Sequence, residues 1–108
     1  MTKIERTPDR LALQSGSTSI VLDKQAGEAV LQRKLLFWSR KPVTRPLNSI
    51  SRVKIDTSVD PASKAEICSI MLLLREGGGW VLSARDKQDA TTAVATVREF
   101  LGISEVTQ

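Results

Sequence analysis

Hydrophobic and polar positions alternate through most of the chain and change to helical spacing near its end. Between Asp86 and Leu101 the apolar side chains recur three or four residues apart, at Ala90, Ala93, Val94, Val97, Phe100 and Leu101. This spacing predicts an amphipathic helix whose apolar stripe faces a core. Asp86 and Asp89 in the first turn and Gly102 just past the last are typical of helix ends.

The residues before this helix predict six short strands separated by turn residues. The strands are expected at Arg10–Ser15, Thr18–Asp23, Glu28–Trp38, Ile50–Asp56, Glu66–Arg75 and Trp80–Ser83. Residues 39–48, with Pro42 and Pro46, predict an irregular link. Glu66–Arg75 is almost continuously apolar, which predicts the most buried strand. Strands closed by one C-terminal helix indicate a small, mainly β member of the α+β class.

Length and composition bound the organisation of the chain. One hundred and eight residues predict a single domain, here residues 9–102, with a flexible arm at 1–8 and a tail at 103–108. No apolar run approaches the ~18 residues of a membrane span. The first twenty residues are charged where a signal peptide needs an apolar centre. We therefore expect a cytoplasmic protein, with a place at the inner face of the membrane left open.

Two phrases of the sequence carry a family resemblance over roughly residues 10–102. The first is Arg45-Pro46-Leu47-Asn48-Ser49-Ile50-Ser51-Arg52-Val53, and the second is Arg98-Glu99-Phe100-Leu101. With the order of strands, a hairpin around Glu76-Gly77-Gly78 and a final helix, they resemble the small bacterial pleckstrin-homology-like (PH-like) domains. The resemblance implies a roll of two nearly orthogonal antiparallel sheets, with the helix plugging one open end. The family has seven strands where the pattern gives six, and Glu28–Trp38 can be read as two.

The resemblance does not select one function, because PH-like domains host lipid binding, peptide binding and scaffolding on one framework. Relatives that hold phosphoinositides use basic residues in the loop between the first two strands. Here that loop is Ser15-Gly16-Ser17-Thr18, which is short and uncharged. The sequence therefore disfavours a specific phosphoinositide site.

The residues needed for common catalytic and metal chemistry are missing from the sequence. There is no histidine and no tyrosine, so a serine or cysteine nucleophile has no imidazole base. Gly77-Gly78-Gly79 lacks the lysine of a phosphate-binding loop and predicts a hairpin turn. Cys68, the one cysteine, lies in an apolar strand and is expected to be an inert core residue. We expect no enzyme, no cofactor and no metal site.

The uneven distribution of charge is the one feature of the sequence that folding alone does not require. Residues 29–55 contain no acid and seven basic residues, whereas the net charge of the whole chain is +4. If the strands on both sides of residues 39–48 are neighbours, these residues form one positive face. With the aromatic side chain set among them, the candidate anion- or lipid-binding residues are Arg33, Lys34, Trp38, Arg40, Lys41, Arg45, Arg52 and Lys54.

Several interpretations of this basic segment stay open. It is either a solvated surface that discourages strand association or a face that binds anions. The leading hypothesis for the protein is a non-catalytic module that binds a protein partner or itself. The alternative is an adaptor on an anionic membrane surface, and nucleic acid is disfavoured because no recognition helix or aromatic series is present. Self-association is expected through unprotected edges of Arg10–Ser15 and Thr18–Asp23, with Leu11, Leu13, Ile20 and Leu22 as apolar surface.

Overall fold

The computed structural model describes residues 2–35, 38–39 and 41–103, and this part of the chain is mainly β. The strands are β1 (Lys3–Arg6), β2 (Arg10–Ser15), β3 (Thr18–Asp23), β4 (Glu28–Leu35), β5 (Trp38–Ser39), β6 (Val43–Pro46), β7 (Ile50–Val59), β8 (Glu66–Leu74) and β9 (Gly79–Ser83). One helix, α1 (Lys87–Leu101), follows them, and a 3-10 turn at Leu47–Ser49 precedes β7. Among the described residues no helix is long and apolar enough to cross a membrane.

The strands form two antiparallel sheets. The large sheet has the order β1-β2-β3-β4, and β4 also pairs with β5 and with β6. The small sheet has the order β7-β8-β9. No strand of the described residues pairs across the two sheets, so they do not close into a barrel. The predicted combination of antiparallel sheets and one C-terminal helix is confirmed.

One hydrophobic core joins the two sheets and the helix. Its buried members on α1 are Ala90, Ala93, Val94, Val97 and Phe100. Asp86 caps the helix, because its side chain accepts the Asp89 N–H at 2.8 Å. Gly102 ends it in the left-handed conformation, with φ of 70°. The predicted helix is confirmed, although Leu101 is only half-buried.

The helix also covers one edge of the small sheet. Arg98 lies on α1, and its Nε and Nη2 donate to the Val53 carbonyl of β7 at 3.0 and 2.7 Å. β7 is an edge strand, since β8 is its only strand neighbour in the described part of the chain. The guanidinium therefore occupies an edge carbonyl that would otherwise be open to another strand.

The N-terminal segment differs from the flexible arm expected at residues 1–8. Lys3–Arg6 is strand β1, which pairs with β2 in the register Ile4 to Leu13. Ile4 packs against the core from this edge. Thr2 is buried and donates its N–H and its hydroxyl to Asp89 at the start of α1. Because a single apolar residue among charges gives no visible alternation, the strand was not predicted.

The link expected at 39–48 also contains a strand. β6 pairs with β4, placing Val43 opposite Leu31. The Leu47 N–H then donates to the Gly27 carbonyl at 2.8 Å, which fixes the chain where it leaves the large sheet. Pro46 is tolerated because it is the last residue of a strand with one neighbour. The predicted strand Glu28–Trp38 ends instead at Leu35, with a separate β5 from Trp38.

The expectation that β2 and β3 have open edges is wrong. Both are interior strands of the large sheet, since β2 pairs with β1 and β3, and β3 pairs with β2 and β4. Their apolar side chains are 0–1% exposed, and they are Leu11, Leu13, Ile20 and Leu22. These residues fill the core of one chain, so they give no reason for self-association. β8 is likewise less buried than expected, because Ile67 is 46% exposed on its outer face.

Ile103, the first residue of the tail expected at 103–108, belongs to the packed part of the structure. Ile103 is half-buried against the core, and its N–H donates to the Arg98 carbonyl at 3.0 Å. Residues 104–108 lie outside the described residues.

Asp89 connects the N-terminus to the start of the helix. Burial disfavours its charged form, but hydrogen bonds from the Arg85 N–H and from the Thr2 hydroxyl and N–H outweigh it and lower the pKa of the Asp89 carboxyl. A lowered pKa in the folded state adds stability above the pKa of the unfolded state. That contribution is lost as the pH falls through the folded pKa.

Replacing Val97 with aspartate tests the core of the helix. Val97 is 0% exposed, so Val97→Asp buries an unpaired charge, and we expect a loss of about 3 kcal/mol or more in urea unfolding. The matched control is Ala95→Asp, on the exposed side of α1, with a loss below about 1 kcal/mol. Equal loss in both variants would contradict the packing.

Replacing Asp89 with asparagine tests the N-terminal contact. Asp89→Asn weakens the bonds to Arg85 and Thr2, and we expect a loss of about 1 to 2 kcal/mol at neutral pH. Because the wild-type contribution falls as Asp89 becomes protonated, the difference between the two proteins should shrink in acid. Chemical denaturation across the acidic range measures this. A difference that stays constant with pH would contradict the role of the carboxylate.

Candidate anion-binding site

The described basic residues at 29–55 do not form the single face that was expected. The strands on the two sides of residues 39–48 belong to different sheets, because β4 and β6 lie in the large sheet and β7 in the small one. The 3-10 turn at Leu47–Ser49 carries the chain from one sheet to the other. The predicted residues therefore separate into two groups.

The first group surrounds a cavity beside the edge of the large sheet. Leu31 and Val43 are register partners on β4 and β6, and Arg33 follows Leu31 on the same face of β4. Together with Lys41, just before β6, they line a cavity of about 350 Å³. Leu31 is only 6% exposed and Val43 is 37% exposed. We call this the Arg33–Lys41 cavity.

The two cations of the Arg33–Lys41 cavity have no neutralising partner in the described part of the chain. Neither Arg33 nor Lys41 makes an ion pair there. Both side chains are exposed, and the segment that supplies them contains no acid. Because fixed charges of one sign around a concave, partly apolar surface concentrate counter-ions, this cavity favours an anionic group.

Arg45 is close to Lys41 in the sequence, but its guanidinium already has partners within the protein. Its Nε lies 3.6 Å from Glu76 Oε1, and its Nη1 donates to the Thr44 carbonyl at 3.0 Å. Glu76 is in the turn between β8 and β9, so this contact connects the large sheet to the small one. Arg45 therefore has a structural partner that Arg33 and Lys41 lack.

The second group lies on the outer face of the small sheet. Arg52 is the register partner of Leu73, and Lys54 is the partner of Met71. Both cations are exposed, and neither makes an ion pair with a described residue. These two residues carry the same charge as Arg33 and Lys41 but line no shared cavity with them. Arg40 and the side chains of Lys34 and Trp38 lie outside the described residues.

A second cavity, which the sequence analysis missed, lies at the C-terminal end of α1. It has a volume of about 530 Å³, and its lining includes Lys24 and Arg75. Arg75 Nε donates to the Asn48 carbonyl at 2.8 Å, and Lys24 Nζ lies 4.5 Å from the Phe100 ring centroid. Both cations thus have protein partners. They are about fifty positions apart in the sequence, and no local pattern joins them.

The chemistry available to the Arg33–Lys41 cavity is binding by charge and apolar contact. No carboxylate, thiol or hydroxyl is among its described lining residues. In the described part of the chain no three histidine, cysteine, aspartate or glutamate side chains come together to hold a metal ion. No protein-family model, no curated protein and no solved structure matches this chain.

Cys68 is the one thiol, and it lies in the core as predicted. Its residue is 2% exposed. Burial is the largest cause that raises the pKa of the Cys68 thiol. The charge of Glu66 and a contact from Cys68 Sγ to Glu66 Oε1 at 3.9 Å raise this pKa further. The thiolate is therefore disfavoured at neutral pH.

We expect Cys68 to resist thiol reagents in the folded protein, because both burial and the raised pKa suppress the thiolate. A disulfide reagent with a chromophore should react slowly in buffer and at the rate of a free thiol in strong denaturant. Wild type in denaturant is the internal control. Fast reaction in buffer would show that Cys68 is accessible and would contradict the core assignment.

Proposed function

We propose that this chain is a non-catalytic binding module that takes a short acidic segment of a protein partner in the Arg33–Lys41 cavity. The observation that carries the proposal is that two cations, which make no ion pair with a described residue, line one cavity together with apolar side chains. Arg33 and Lys41 pair with carboxylates of the segment. Leu31 and Val43 contact an apolar side chain beside those carboxylates.

The shape of the site supports a peptide segment rather than a membrane surface. A bilayer is reached by protruding side chains spread over a broad face, whereas Leu31 lies at 6% exposure in a cavity. The basic residues are also divided between two sheets. An apolar side chain of the peptide can enter a volume of about 350 Å³. The neighbouring side-chain carboxylates of the peptide can remain at the rim.

The fold is consistent with the PH-like interpretation, which is part of this proposal. Two antiparallel sheets followed by a C-terminal helix agree with the order of elements that the resemblance implies, whereas the sheets of the described residues do not close into the barrel that it also implies. The nine strands of the described residues exceed the seven of the family, and the additional ones include the short β1 and β5. PH-like domains host peptide binding and scaffolding as well as lipid binding, so the resemblance is compatible with this proposal but does not select it.

The absence of catalysis is proposed from the sequence. The chain has no histidine, and the cations of the cavity stand beside no nucleophile in the described lining.

Two exposed ion pairs contribute at most about 1 kcal/mol each. The module therefore binds its partner weakly and reversibly, with apolar contact adding to the charge pairing.

The test compares two double variants that remove the same charge from different surfaces. Arg33→Gln with Lys41→Gln removes the cations of the cavity, and Arg52→Gln with Lys54→Gln is the matched control on the small sheet. The probe is a fluorescein-labelled peptide of glutamate and leucine, measured by anisotropy at low salt. We expect the cavity variant to bind about tenfold more weakly and the control within about twofold of wild type.

Two further arms separate charge from site and peptide from lipid. A peptide with lysine in place of glutamate should not bind, and added salt should weaken the acidic peptide because exposed pairs are screened over ~10 Å at 0.1 M. Vesicles containing phosphatidylserine are the second probe. Equal weakening by both double variants would reduce the binding to net charge. Tight vesicle binding without peptide binding would replace the proposal with the membrane alternative.

A further inference from the structure

The hydrogen-bonding pattern of the small sheet shows which backbone groups of β9 point away from β8. At one end of the pair the Leu74 N–H donates to the Gly78 carbonyl at 3.1 Å, and at the other the Ala84 N–H donates to the Cys68 carbonyl at 3.0 Å. Since bonded and non-bonded residues alternate in an antiparallel pair, Trp80 and Leu82 bond to β8. The three alternate residues of β9 therefore direct their N–H and C=O groups outward.

These outward residues form the open edge, defined as the backbone groups of Gly79, Val81 and Ser83. All three residues are exposed, and for glycine that exposure is backbone surface. No hydrogen bond joins their N–H or C=O groups to another strand or side chain in the described part of the chain. The open edge is thus a row of donors and acceptors without a hydrogen-bonding partner in the described part of the chain.

The edges of β7, β6 and β1 carry protection that β9 lacks. On β7, Arg98 of α1 occupies the Val53 carbonyl, and Lys54 and Asp56 place charges in the strand. β6 ends at Pro46, and the Arg45 guanidinium occupies a carbonyl within it. β1 carries the charged pair Lys3 and Glu5. β9 has the sequence GWVLS, with no charge and no proline, so it keeps the features that favour pairing with another chain.

We propose that the open edge is the site where a second copy of this chain adds by antiparallel pairing about a two-fold axis next to Val81. In that register Val81 lies opposite its own equivalent, and Gly79 lies opposite Ser83 of the second copy. Every outward N–H and C=O of the edge then has a partner, because each of these facing pairs exchanges two hydrogen bonds. The edge is complementary to itself, which a two-fold dimer requires.

The side chains of β9 agree with this register. Directly opposite residues point to the same face, so the two Val81 side chains meet there. Val81 is 41% exposed in one chain and stands next to Met71, its register partner on β8. Pairing removes apolar surface from water, while Gly79 and Ser83 bring only small side chains together. The small sheets of two copies become one continuous six-stranded sheet.

This inference is independent of the proposed function. The open edge is in the small sheet, whereas the Arg33–Lys41 cavity is lined by residues of and beside the large sheet. Failure of the peptide experiment would leave the dimer untouched, and the reverse also holds.

The test uses the central position of the register. Sedimentation of the full chain from about 10 micromolar to about 1 millimolar should show a monomer–dimer equilibrium for wild type. Val81→Lys and Val81→Glu each place like charges directly opposite, so each should raise the dissociation constant at least about fivefold. Mixing the two variants should restore dimers, because lysine then lies opposite glutamate.

The controls separate the register from overall charge and from folding. Val59→Lys adds the same charge at a valine that is 62% exposed on β7, and it should dimerise like wild type. Val81→Pro removes an N–H that makes no bond to β8, so it should melt near the wild-type temperature and remain a monomer. A monomeric wild type at the highest concentration would overturn the proposal. So would dimers that Val81→Lys leaves intact, or a mixture that stays monomeric.

Discussion

The burial of apolar side chains between two sheets that share no hydrogen-bonded ladder is the constraint on which the rest of the structure depends. In the described residues no strand belongs to both sheets, so backbone hydrogen bonds stabilise each sheet but do not join them. The shared hydrophobic core joins the two sheets. Its buried members include Leu11 and Ile20 from the large sheet, Ile70 and Leu82 from the small sheet, and Phe100 from the helix. The helix therefore helps to hold the two sheets together, since removing its apolar side chains would expose core residues of both sheets to water.

Polar contacts then fix how these layers are aligned. Arg98 ties the helix to an edge carbonyl of β7, and Asp89 ties its first turn to Thr2. Arg45 reaches Glu76 across the two sheets. An exposed ion pair of this last kind adds little free energy, whereas the Arg98 contact places a charged donor on a backbone acceptor at a part-buried position, where hydrogen bonds are stronger. The contact of the helix with the small sheet is thus stronger than the contact of β6 with the turn between β8 and β9.

The local elements were predictable and the partnerships between them were not. Helix α1 and strands β2 and β3 follow from side-chain periodicity and turn residues, which act within a few positions. β1 and β6 were not predicted, because KIER and VTRP have little strand pattern of their own and are strands through their pairing with β2 and β4. Propensity is weak in such segments and tertiary pairing decides. The sequence also gave no sign that Thr2 would meet Asp89, since that contact spans 87 positions.

The candidate site shows the same division between sequence and space. Charge segregation predicted one basic face, but the turn at Leu47–Ser49 moves the chain between sheets and separates Arg33 from Arg52. Arg33 and Lys41 remain together because β4 pairs with β6, a strand that was hidden by Pro46 at its end and Pro42 just before it. The open edge of β9 was equally hidden, because hydrophobic alternation records which face a residue takes but not which strand edge is left without a neighbour. Cavity and edge use different groups, side chains in one case and backbone in the other. A partner at the cavity therefore leaves the hydrogen-bonding groups of the edge free for a second copy.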